Sequence, residues 1–181
     1  MLRVWKFEGG AGANGTNLAG LSVMLLEKGS ENIASAENAA QEAFAYLPEG
    51  LEPAQREALV GWVRSQTPAS VGEENIRVVP MRAYLWEGNA QVAAGQHIAF
   101  SSRRPAPCGP ASCGERLWYE PRNAAANFMV EEVASARVSE PALSLSWKDH
   151  GRRTLFMGQF GPMEGRTPAF CGNTPGLFTK L

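Results

Sequence analysis

The chain has 181 residues, 44% hydrophobic and 19% charged, with a formal net charge of −1. A chain of this length and composition buries a core without disulfide or metal staples, and a charge of −1 supplies no long-range pull toward nucleic acid. Its longest apolar stretch, around Leu21 to Leu26, is far too short for a transmembrane helix.

The small net charge hides an asymmetry. Residues 1–75 hold five basic and ten acidic side chains, whereas residues 76–181 hold twelve basic and eight acidic ones. Ten of those twelve are Arg, which grips phosphate and carboxylate as a planar fork. Either an anionic partner is implied, or the two parts neutralise one another within one fold. We expect one domain over residues 1–181, with 1–75 helix-rich and acidic and 76–181 strand-rich and basic. The start of the chain, Met1-Leu2-Arg3-Val4-Trp5-Lys6, shows no secretory pattern, so a cytoplasmic location is the expectation.

In chain order, residues 2–8 read as a strand. Three charges in seven residues argue against burial on both of its faces. A Gly-rich stretch from Gly9 to Gly15 follows. Thr16 or Asn17 is then placed to cap a short helix carrying Leu18, Leu21, Met24 and Leu25, with Gly29 as its stop. Ile33, Ala36, Ala40, Ala43, Phe44 and Leu47 keep helical spacing after Ser30. A third helix starts at Pro53, a residue suited to a first helical position, and presents Leu59, Trp62 and Val63 on one face. Near residue 75 the pattern changes. Ile76 to Trp86 reads as a strand interrupted by Pro80, hence an edge strand or a bulge. Gly88-Asn89 is read as a two-residue turn joining strands 82–87 and 90–94, followed by His97 to Phe100. Residues 101–115 read as a polar loop, Leu117-Trp118-Tyr119 as a short strand and 123–136 as a helix. Leu143 to Trp147 and Arg153 to Phe160 read as a second hairpin, and the Gly/Pro-rich tail from Gly161 as a surface wrap.

This order implies an α+β fold, an antiparallel sheet with helices packed on one face. A ferredoxin-like β-α-β-β-α-β core is one explicit threading, with long Gly/Pro-rich loops and a C-terminal tail.

Several residue sets invite a chemical reading. Gly10-Ala11-Gly12-Ala13-Asn14-Gly15 satisfies G-x-G-x-x-G after a strand, the arrangement that lets backbone approach a pyrophosphate. Glu31 and Glu37 stand near the distance of a ribose-binding acid. The charged first strand, the lack of a parallel-strand series and Glu8 beside the glycines favour a connection without ligand. Cys108, Cys113 and Cys171 are expected as free thiols; a Cys108–Cys113 disulfide, or zinc held with His150, are the alternatives. Neither a resident metal nor a cofactor is therefore expected. His97 reads as a packing residue, and His150 as a solvated loop residue beside Asp149, the only aspartate. No Ser-His-Asp set can be assembled, and no catalytic residue is assigned.

Arg103, Arg104, Arg116, Arg122, Arg152 and Arg153 lie in or beside loops of the basic part. Phe100, Trp118 and Tyr119 would add stacking platforms if exposed on a sheet face, as in binders of single-stranded RNA. The preferred reading pairs these arginines with the acidic helices, whose Glu27, Glu31, Glu37, Glu42 and Glu57 make a solvated face. Trp5, Trp62, Trp86, Trp118 and Trp147 are many tryptophans for this length, and such residues anchor interfaces. The leading functional reading is accordingly a non-catalytic interaction or assembly subunit that docks on other protein subunits. A nucleic-acid-associated protein using the Arg-rich loops comes second, and a nucleotide-binding enzyme using Gly9 to Gly15 third.

Overall fold

The computed structural model describes residues 1–7, 15–29, 40–86, 89–103, 129–151, 155–159 and 176–180. Within them lie eleven strands and one α-helix: β1 Leu2–Lys6, β2 Ser22–Lys28, β3 Glu42–Pro48, α1 Pro53–Ser65, β4 Ile76–Val79, β5 Met81–Trp86, β6 Asn89–Ala94, β7 Ile98–Arg103, β8 Met129–Glu140, β9 Leu145–Asp149, β10 Leu155–Gln159 and β11 Gly176–Lys180. The strand order is β4-β3-β2-β1-β11-β10-β8-β7-β6-β5, with β9 also paired to β8. The protein is therefore mainly β. The expected α+β class, with several helices on one antiparallel sheet and a ferredoxin-like core, is overturned.

β8 divides the strands into two sheets, since its first residues pair with β10 and its remainder with β7 and β9. The sheets pack face to face. Leu2, Val4, Met24, Leu26, Phe44 and Tyr46 of the first meet Val92, Ile98, Phe100, Val133 and Val138 of the second in one core. The opposite face of the first sheet is also covered: Trp5, Val23, Leu25, Ala45 and Leu47 pack on Leu59, Val60 and Val63 of α1. Three layers result, and β1, β2 and β3 of the middle one are buried on both faces.

That double burial explains the misread segments. β2 occupies residues read as helix because Leu18, Leu21, Met24 and Leu25 recur three or four apart, yet Val23 to Leu26 are all fully buried. A continuous apolar run fits a two-sided strand as well as a helix. Ala43, Phe44 and Leu47 of the next supposed stripe lie in β3, its Ile33 and Ala36 lying outside the described residues, and residues 129–136 of the segment read as a helix over 123–136 form the first part of β8. β1 is a strand as expected, but its side chains from Leu2 to Trp5 are buried. Arg3 is tolerated there because its guanidinium meets Glu27 at 2.5 Å and the carbonyl of Gln66, at the end of α1, at 2.6 Å. Glu27 thus sits in the interior, not on a solvated helical face.

The helix from Pro53 forms as expected, with Leu59, Val60 and Val63 buried and the Gln55 side chain accepting from the Glu52 N–H at 3.1 Å. β4 and β5 stand at the two ends of the strand order with Pro80 between them, as a proline-broken edge demands. The β5–β6 pair is antiparallel, but Trp86 pairs with Asn89, so Asn89 belongs to the strand and not to the turn. β9 and β10 do not form the expected hairpin. Both run along β8, opposite residues 140–136 and 131–129. Part of the supposed surface tail is β11, held between β1 and β10 and parallel to both.

Candidate binding face

Two buried polar clusters hold the layers together. Arg3 and Glu27 form the one beneath α1. In the other, Glu140 is fully buried at the end of β8. The Tyr46 hydroxyl donates to its Oε2 at 2.7 Å, while Arg77 and the Ala142 N–H donate to its Oε1 at 2.9 and 3.1 Å. Burial pushes the Glu140 carboxyl up, but the Tyr46, Ala142 and Arg77 donors together hold it below the ordinary value. Burial, and then the bond to Glu140, push the Tyr46 phenol well above its usual range. His97 Nδ1 donates to the Ser139 carbonyl at 3.1 Å and lies 3.4 Å from Glu140 Oε2. Tyr46 and Arg77 come from the first sheet, Glu140 and His97 from the second. Every oxygen of the carboxylate is engaged, so the cluster acts as a clasp between sheets rather than as a group awaiting substrate.

The outer face of the second sheet is different. Burial alternates along β5, where Ala83 and Leu85 point to the core and Arg82, Tyr84 and Trp86 are exposed. Tyr84 and Trp86 are each 58% exposed, their rings 6.3 Å apart, and Lys6 Nζ lies 5.4 Å from the Tyr84 ring. The register carries this face across the sheet. Arg82 pairs with Ala93, Ala93 with Ala99, Ala99 with Arg137 and Arg137 with Lys148. The next row runs Tyr84, Gln91, Ser101, Ser135. A shallow open trough lies here, lined by Ala99, Ser101, Ser135, Arg137, Lys148 and His150 among others.

A register shift at Ser101/Ser102 places one extra residue, Ala134, in β8. Such a bulge lets Val133 and Ala136 both face the core. The bulged carbonyls are taken by the next turn: His150 Nδ1 donates to Ala134 and the Gly151 N–H to Val133. His150 is thereby fixed at the trough's edge.

Of the six arginines singled out from sequence, Arg103 is described. It ends β7, is exposed, and pairs with Glu132 of β8, not with a carboxylate of the acidic part. Arg104, Arg116, Arg122, Arg152 and Arg153 lie outside the described residues, as do Trp118, Tyr119, Cys108, Cys113, Cys171 and all of the Gly9 to Gly15 loop except Gly15. Phe100 is no stacking platform; it is 6% exposed in the core. The tryptophans separate by role. Trp5 is buried, Trp62 and Trp147 are partly buried against the cores, and Trp86 stands out to solvent. Arg82, Tyr84, Trp86, Arg137 and Lys148 were missed as a set. The signal for three of the five was present in Arg82-x-Tyr84-x-Trp86, an alternation that puts all three on one side of a strand.

Among the described residues no three His, Cys, Asp or Glu side chains are placed to hold a metal ion, and no helix is long and apolar enough to cross a membrane. No family model matches the chain, and neither curated proteins nor solved structures give a significant match.

Proposed function

We propose that the chain is a non-catalytic interaction subunit whose working surface is the outer face of the second sheet. The observation that carries this reading is the exposure of Tyr84 and Trp86 side by side on an edge strand. Large rings left in water on a rigid strand are the usual anchors of an interface. Trp5 is buried and Trp62 and Trp147 are partly buried against the cores, so Trp86 is the exposed tryptophan among the described residues. Arg82, Arg137 and Lys148 on the same face give the surface a positive character that complements an anionic partner.

A photo-crosslinking amino acid placed at Tyr84 and, separately, at Glu57 tests this in the cell that makes the protein. Glu57 is exposed on α1, on the far side of the three layers. Adducts concentrated at position 84 are the expected result. Adducts at position 57 with none at 84 would move the working surface to the helix.

A further inference from the structure

We infer that the outer face of the second sheet binds single-stranded RNA, with bases stacked on Trp86 and Tyr84 and the backbone held by Arg137 and Lys148. The inference rests on the interaction reading and names its partner. Four observations on this face support it.

The first is chemical pairing. Exposed aromatic rings stack on any unpaired base, and cations beside them hold phosphates. Arg82 and Lys6 stand at the aromatic edge, and Arg137 and Lys148 across the sheet. The second is that these charges are uncommitted. No ion pair joins Arg82, Arg137 or Lys148 to a carboxylate among the described residues, whereas Arg103 on the same face is neutralised by Glu132. Arg137 and Lys148 line the trough with one carboxylate, Asp149, so the local balance of charge is positive even though the chain's net charge is −1.

The third is shape. Between the rings on β5 and the cations on β8 and β9 lie small residues, Ala93, Ala99, Ser101 and Ser135. Three strand spacings separate β5 from β8, about 14 Å, which suits a chain of two or three nucleotides lying across the strands. A polypeptide added to the β5 edge would run along that strand and leave Arg137 and Lys148 unused. A duplex would hide the base faces from the rings. The fourth is that Gln91, Ser101 and Ser135 put an amide and two hydroxyls on the floor, groups able to hydrogen-bond the ribose 2′-hydroxyl.

Fluorescence anisotropy with the full chain tests this, using a labelled 12-nucleotide uridine oligomer at several salt concentrations. The same titration is run with the deoxy oligomer, with a 12-base-pair RNA duplex and with a labelled 12-residue polyglutamate. Two exposed double variants are compared, Tyr84→Ser with Trp86→Ser and Arg137→Gln with Lys148→Gln, each confirmed folded by an unchanged urea midpoint.

The expected result is saturable binding of the uridine oligomer, weakened about tenfold or more by the loss of the rings. For the arginine–lysine variant, the slope of log affinity against log salt should shrink by about 1.4. Absent binding, or binding untouched by both variants, would overturn the inference. Equal affinity for the deoxy oligomer would overturn the assignment to RNA, and tighter duplex binding the stacking geometry. Binding of polyglutamate alone, lost in the variants, would replace RNA by an acidic polypeptide and leave the interaction reading standing. That reading falls by a separate result, crosslinks at position 57 and none at position 84.

Discussion

Tyr46 of β3 donates its phenolic hydrogen to Glu140 at the end of β8 across 2.7 Å, and this bond joins the two sheets through the interior. Phenol and carboxylate lie 94 residues apart in the chain. A buried carboxylate is stable only while its donors remain, so the pair makes the sheet-to-sheet contact conditional on protonation.

Glu140 should therefore govern part of the acid limb of stability. Its folded value lies below the ordinary one, so its contribution is complete above the unfolded value of about 4.3 and is lost as pH falls through the lower folded value. Urea midpoints of the native chain and of Glu140→Gln should differ most near neutrality and converge toward acid. A constant gap across that range would show that the carboxylate's charge is not what the clasp uses. Tyr46→Phe should cost about 1–3 kcal/mol at neutral pH.

For the pair beneath α1, Arg3→Met alone should destabilise by about 3–5 kcal/mol, because it strands the Glu27 carboxylate in the interior. Arg3→Met with Glu27→Leu should cost distinctly less than that single change. Denaturation of the two variants checks this, and a double variant worse than the single one would mean that the pair supplies net stability beyond mutual compensation.

Gly95 turns β6 into β7 at φ +47°, and its N–H donates to the Pro80 carbonyl at 2.9 Å. An added Cβ would meet the Val79 Cβ at 3.4 Å. Gly95→Ala should cost about 1–2 kcal/mol from the left-handed backbone, readable as a lowered urea midpoint. A neutral effect would indicate that the turn relaxes into another conformation.

Trp86→Ala should shift stability by less than about 1 kcal/mol, whereas Trp5→Ala should cost about 3–5 kcal/mol. Trp5 packs edge-on against Trp62 of α1 at 6.3 Å, so its loss opens the helix-to-sheet layer. Comparable losses at both positions would place Trp86 in the core and remove the binding face.

What the sequence disclosed depended on how many faces of each element are buried. α1 has one buried stripe and a proline at its start, and β5–β6 has one wet face, so both follow from spacing alone. β2 and β3 are buried on two sides, and their apolar runs carry no period to separate strand from helix. Arg3 argued against burial because its partners, Glu27 and the Gln66 carbonyl, lie 24 and 63 residues away. The candidate face shows the same division. The Arg82-Tyr84-Trp86 alternation is local and legible, but Arg137 and Lys148 join it only through strand register. The loop arginines drew attention instead because arginine clusters are conspicuous in sequence, whereas strand neighbours are not.

β11 bears on the order in which the molecule can assemble. Leu2 is hydrogen-bonded in register with Gly176, so the first strand waits for nearly the last part of the chain before its second edge is covered. A growing polypeptide can close the β5–β6–β7 meander from neighbouring residues, but the middle layer stays split between β1 and β10 until β11 is inserted. Topology of this kind is slow to form, and an open strand edge is liable to pair with another chain in the interval. Shortening the chain by its last strand should therefore leave a cleft at the centre of the first sheet rather than a trimmed margin.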